Sequence, residues 1–275
     1  MNFNALHLGA FFRCLSLVQT AGLIAATMYG AAALAVPVVF FGENQSPALR
    51  VVGSPKTAHD AFAGGLSGVG TENFTGETNG AAAPLSISFP GSSGNITATI
   101  NGVGNILDIP ASTSSAGRFN TTGAEAAPAG GKVWVSQGAF SISFDTAISA
   151  FGFYGTDIGD FNGQVTVTLK DTGGIDTLLV VNNTINGNDA SLLFWGFIDS
   201  TKAYTAITFG NTSAGVDFFG FDDMIVGDLA QVIATIPAPG SMALVALGLL
   251  GLATVRRRHS CAAVGLGFSR RGRAS

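Results

Sequence analysis

The sequence predicts an all-β fold, a jelly-roll-like β-sandwich, flanked by an N-terminal signal helix and a C-terminal transmembrane helix. Three observations carry this. Apolar residues alternate with Ser and Thr at a period of two through the middle of the chain, which places one face of each strand inward and one outward. Asn-Gly pairs separate the alternating runs and supply the positive φ of tight turns. Long apolar stretches without acid lie at both ends, and between them no segment longer than a turn shows helical periodicity.

The charges are distributed unevenly along the 275 residues. All 17 acids lie between Glu43 and Asp228, alongside six basic residues, so this body carries a net charge of −11. The segment after Val255 holds six arginines and no acid. An acidic body argues against nucleic acid and anionic membrane surfaces as partners, and suits divalent cations or neutral polymers. Cys14 and Cys261 lie in the leader and the tail. With both ends removed the body has no cysteine, and oxidising export is harmless to it.

Residues 1–35 form the leader. Arg13 is its only Lys or Arg, and an apolar run follows from Cys14 to Leu34. Ala33-Leu34-Ala35 has the small-x-small pattern that signal peptidase accepts, which places cleavage before Val36. A retained anchor is the competing reading, since about 20 apolar residues can span a bilayer. Gln19, Thr20 and the Ala/Gly-rich end favour cleavage. Residues 36–68, with scattered Pro and Gly, read as an irregular arm holding a strand or two.

Residues 69–230 read as the sandwich. Leu85–Phe89, Ile96–Ile100, Val133–Val135, Phe140–Phe144, Val165–Leu169 and Tyr204–Phe209 each alternate. Leu192–Ile198 is continuously apolar, as befits a central strand covered on both faces. Asn79-Gly80, Asn101-Gly102, Asn162-Gly163 and Asn186-Gly187 mark turns.

Residues 231–258 form the tail. Ile236-Pro237-Ala238-Pro239 is a rigid joint, Gly240–Val255 a short uncharged apolar segment, and Arg256-Arg257-Arg258 a positive stop. The arginines prefer the cytoplasmic side, which leaves the body outside the inner membrane. A core helix would not abut three consecutive arginines. This order of parts, Ile236 to Arg258, resembles the PEP-CTERM sorting signal, whose bearers are substrates of exosortase enzymes in Gram-negative bacteria. The resemblance implies an exosortase-like processing partner and removal of the tail near Pro-x-Pro, as a GPI signal is removed. Ala238 stands where the family has glutamate. The basic extension, residues 259–275, continues past the usual end.

Ala150–Phe161, Phe194–Asp199 and Phe218–Gly227 also resemble the ectodomain common among such proteins, and more loosely the jelly rolls of carbohydrate-binding modules. This likeness implies an architecture more than a reaction.

Little catalytic chemistry is legible. His59 is the body's one histidine, so ordinary Zn²⁺ sites and Cys–His dyads are excluded. It reads as an exposed loop residue, and no Gly-x-Ser-x-Gly elbow accompanies it. A glycosidase's carboxylate pair is not excluded, although most acids sit at turns. Two acidic groups are candidate Ca²⁺ ligands. Glu72, with Glu77 nearby, stands in a first strand and Asp222-Asp223 in the last, which jelly rolls place side by side. Consecutive aspartates point to opposite faces, so only one ligates unless the strand bulges. Asp157 and Asp160 occupy a Gly-flanked loop. Trp134, Trp195 and Tyr154 lie inside apolar runs, where core packing outweighs a sugar-stacking platform.

The function expected is that of a non-enzymatic surface or extracellular-matrix protein associated with exopolysaccharide or biofilm. Such a chain passes the Sec translocon and signal peptidase and is held transiently in the inner membrane before reaching the envelope surface. The alternative is a secreted carbohydrate-binding module or weak glycan-active enzyme. Cofactors are limited to a structural Ca²⁺.

Overall fold

Two antiparallel sheets face each other across an aromatic core. The computed structural model describes residues 36–45, 53–109, 131–188, 191–213, 215 and 217–233. The chain divides into Met1–Val36 and Pro37–Ser275, and both sheets belong to the second unit. The leader, the Pro-x-Pro tail and the basic extension lie outside the described residues. Among those described, no helix is long and apolar enough to cross a membrane.

In chain order the elements are β1 (Val38–Asn44), α1 (Ser54–Ala63), β2 (Gly70–Glu72), β3 (Leu85–Gly91), β4 (Gly94–Gly102), β5 (Asn105–Asp108) and β6 (Lys132–Ser136). Then come β7 (Phe140–Ile148), β8 (Ala150–Thr156), β9 (Val165–Asp171), β10 (Asp176–Val180), β11 (Leu192–Ile198), β12 (Tyr204–Asn211) and β13 (Phe219–Gly227). A 3₁₀ turn, Leu229–Gln231, follows. One sheet runs β1-β11-β8-β13-β6-β5, with β2 also on β13; the other runs β10-β9-β12-β7-β4-β3. From β7 to β9 and again from β11 to β13 the chain steps between the sheets at every strand, which gives the sandwich its jelly-roll character.

The alternating runs become strands whose inner residues are buried. In β4, Ile96, Ala98 and Ile100 point into the core while Thr97 and Thr99 are half-buried. The Asn-Gly pairs turn the chain in two ways. Gly80 and Gly102 carry the positive φ in the first two pairs, and Asn162 and Asn186 carry it in the last two. Phe209 sits at the centre of the core. Its ring stacks on Phe140 at 4.4 Å and meets Phe151, Phe153 and Phe221 edge-on at 6.1, 5.5 and 5.3 Å.

The arm expected over residues 36–68, with a strand or two, holds one strand and an unexpected helix. β1 joins the sheet edge, pairing with all of β11 from Val38↔Ile198 to Asn44↔Leu192. Residues 54–63 form a helix that periodicity did not announce. Pro55, Ala58 and Phe62 are its buried residues, spaced i, i+3, i+7. Ten residues make a helix too short to hold in isolation, so packing must stabilise it. That packing is a close approach. Phe62 lies over the paired Gly196 and Gly152, where an added Cβ would come within 3.0 and 2.9 Å of its ring. α1 thereby covers the outer face of β8 and β11, which explains why both strands are buried on every residue.

Candidate functional site at the exit of the tail

Asp228 fastens the point where the chain leaves the sandwich. Its Oδ2 accepts the Ser92 N–H at 2.7 Å, and Oδ1 accepts those of Ala230 and Gln231 at 2.9 and 3.2 Å. Gln231 answers with Oε1 on the Asp228 N–H at 3.0 Å, which closes a capping box. Its amide nitrogen reaches the Gly68 and Pro90 carbonyls at 2.8 and 3.1 Å. Burial alone would raise the Asp228 carboxyl, but the donors from Ser92, Gln231 and Ala230 outweigh it and hold it below the ordinary value of 3.8. The next residues are pinned as well: Val232 bridges Leu66, and the Ile233 N–H donates to the Gly65 carbonyl at 2.9 Å. Gly65 abuts Ile198, the partner of Val38. The start of β1 and the exit of the tail therefore share one end of the sandwich.

The cap's stability contribution is present above pH 3.8 and disappears as pH falls through the lowered folded value. Asp228→Ala leaves the Ser92 and Ala230 N–H groups without their acceptor and is expected to cost about 2 kcal/mol at neutral pH. Thermal unfolding against pH checks this. The variant's deficit should shrink below pH 3.8; a constant deficit would assign the loss to packing instead.

The acidic candidates lie where β13 changes partners. Phe219–Phe221 pair with β6 and Met224–Val226 with β2, so Glu72 stands opposite Met224. On the other edge the register with β8 shifts between Asp222 and Ile225, and Asp223 has φ 45°. Phe219, Phe221, Met224 and Val226 all face the inter-sheet core. The odd spacing from Phe221 to Met224 requires one extra residue, so this is a β-bulge. Asp222 and Asp223 thus fall together outside the inner series, and strict alternation of the two does not hold. The Asp222 carboxylate accepts the Asp223 N–H at 2.8 Å.

Burial raises the Glu72 carboxyl above its ordinary 4.5; the Phe74 N–H opposes this, and the charges of Glu77 and Asp223 add to it. Its protonated form favours the fold below that value, and the contribution is lost as pH rises through the folded one. Burial, then the charges of Asp223 and Asp60, push the Tyr154 phenol up. Among the described residues no three His, Cys, Asp or Glu side chains gather tightly enough to hold one metal ion. Glu72 and Asp223 are neighbours through their charges, without a completed ligand set.

The remaining candidates are structural. Asp157 is buried with φ 63°, and its N–H donates to the Ser191 carbonyl at 3.0 Å, while Asp160 is exposed. Trp134 and Trp195 are fully buried and Tyr154 nearly so, which makes them core rather than platform. His59 is a helix residue, not a loop one: its ring stacks on Tyr154 at 5.3 Å and meets Phe194 edge-on at 5.3 Å. At the end opposite the tail, a cavity of about 180 Å³ opens between the sheets, lined in part by Phe140, Phe209, Phe219, Phe221 and Asp217. Val36 lies just ahead of β1. Ala33, Ala35, Pro237, Ala238, Pro239 and Arg256 to Arg258 lie outside the described residues.

The family model described as the PEP-CTERM protein-sorting motif matches residues 235–258. This chain carries a PEP-CTERM sorting motif. The motif begins two residues after Ile233, the last described residue, whose N–H is bonded to the Gly65 carbonyl. A PEP-CTERM motif implies export to the cell envelope or surface and processing by an exosortase-type system. No curated protein matches the sequence. Among solved structures, the K2 cleaved adhesin domain of Lys-gingipain is similar at 13% identity and TM-score 0.34, over 58% of this chain and 98% of that one. The C-terminal family 22 carbohydrate binding module of Clostridium thermocellum Xyn10B is similar at 11% identity and TM-score 0.34, over 62% of this chain and 99% of that one.

The Asp228–Gln231 clamp was overlooked in the sequence, although its signal was present. Asp-x-x-Gln is a capping-box spacing, here used to close a sheet rather than to open a long helix.

Proposed function

We propose that this chain is an exported cell-surface or extracellular-matrix protein, delivered through the Sec pathway and sorted by an exosortase-like enzyme, with a non-enzymatic structural or interaction role in exopolysaccharide. The observation that supports it is the sorting motif following directly on a sandwich whose exit is clamped. The clamp holds Asp228 to Ile233 on the sandwich just ahead of the segment to be processed. The net charge of the body suits a neutral polymer better than an anionic surface.

Mass spectrometry of the exported form tests the reading. The expected product begins at Val36 and ends near Pro237–Pro239. A surface form that keeps Cys14, or one that keeps Arg256, would overturn the corresponding cleavage.

A further inference from the structure

Four strands end the paths of the two sheets, with β2 a further edge on β13, and among the described residues three of the four carry contacts on their outer side. Along β1, α1 packs beside the strand and the Ser54 hydroxyl donates to the Glu43 carbonyl at 2.6 Å. The edge of β5 is taken by residues 80–82, through Ile106 N–H to the Ala81 carbonyl and Gly80 N–H to the Ile106 carbonyl, both at 2.8 Å. β3 carries Pro90, which has no N–H and whose carbonyl accepts from Gln231 at 3.1 Å. β10 is different. It ends its sheet, and among the described residues no hydrogen bond beyond its ladder with β9 falls on Asp176–Val180.

Natural sheets blunt open edges with Pro, Lys, bulges or covering loops. β10 has none of these. On its outer face Leu178 is 62% and Val180 39% exposed beside Asp176, and Ile175, just before the strand, is 64% exposed. Leu179, on the alternate face, packs on the core.

We propose that β10 pairs antiparallel with β10 of a second copy, joining the two six-stranded sheets across a two-fold axis at Leu178. The occupant follows from the strand itself. A two-fold pairing of Asp176–Val180 sets Leu178 against Leu178, Thr177 against Leu179 and Asp176 against Val180. The only charges on the strand then lie four residues apart, about 14 Å, and each Asp176 already faces Lys170 of its own β9. Leu178 and Val180 of both copies merge into one apolar stripe, the self-complementary arrangement an isologous dimer requires.

Cysteine cross-linking of the full chain in detergent, with Cys14→Ser and Cys261→Ser, tests the pairing. Leu178→Cys places two sulfurs directly opposite each other and should give a disulfide dimer. Ile175→Cys is equally exposed, but its two copies stand about 20 Å apart in this register, beyond disulfide reach. It should give no disulfide dimer. The exported, processed protein should sediment as a dimer, and Leu178→Lys with Val180→Lys should make it a monomer that keeps the wild-type β-sheet circular dichroism. Equal cross-linking at both positions, a cross-link to a different protein, or a monomeric wild type would each overturn the proposal.

Discussion

Changing Arg256, Arg257 and Arg258 to Ser, in a chain ended after Ser260, is expected to abolish both membrane retention of the precursor and its processed form. The segment before these arginines, Gly240–Val255, has 16 uncharged residues, fewer than the roughly 20 of an ordinary span. Such a marginal segment is held by the charges behind it. Each arginine costs about 2.5–3.5 kcal/mol to place at the bilayer centre, so three together stop transfer. Ending the chain after Ser260 matters because Arg270, Arg271 and Arg273 would otherwise supply the stop. Cell fractionation should find the altered precursor released and unprocessed. If it stays in the inner membrane and is processed normally, the arginines are not what presents the motif to the sorting enzyme.

Phe209→Ala is expected to be the most damaging single change in the sandwich. Phe209 is 2% exposed and touches Phe140, Phe151, Phe153 and Phe221, which come from three strands of both sheets other than its own. Truncating a buried Phe costs about 3–5 kcal/mol through lost contact and residual cavity, against a total of about 5–15 kcal/mol for a typical domain. The cavity already beside Phe209 would grow rather than collapse, because the close-packed rings of Phe140, Phe219 and Phe221 also line it. The melting temperature of the exported protein should fall by roughly 10 °C. Leu178→Ala, at an exposed position, should change it by less than about 2 °C. Similar losses for both would show that Phe209 does not hold the sheets together.

Much of the architecture was legible along the chain because strand formation leaves a local mark. Leu85–Phe89, Ile96–Ile100, Val165–Leu169 and Tyr204–Phe209 alternate because one face of each is wet, and each became a strand at those positions. Leu192–Ile198 was continuously apolar and proved to be β11, a strand covered on both sides. What covers it was not legible. α1 has only three buried residues and gains its stability from a partner that the sequence places far away, the Gly152–Gly196 pair.

The candidate site divides in the same manner. Pro237, Ala238, Pro239 and the three arginines lie in a contiguous stretch that matches the PEP-CTERM motif in the order in which the chain presents it. Sequence alone determined that part. The bulge at Asp222 and Asp223 arises where β13 leaves β6 for β2, a choice of neighbours made across 83 to 156 residues of chain. The Asp228 clamp likewise needs Ser92, Gly68 and Pro90 brought to it. Which strands end the sheets is a property of the assembled fold, and among the described residues β10 ends its sheet beside β9 alone. Periodicity records how one residue relates to its near neighbours along the chain; which distant strand lies beside it is set by burying the aromatic core, and only the tertiary structure decided that.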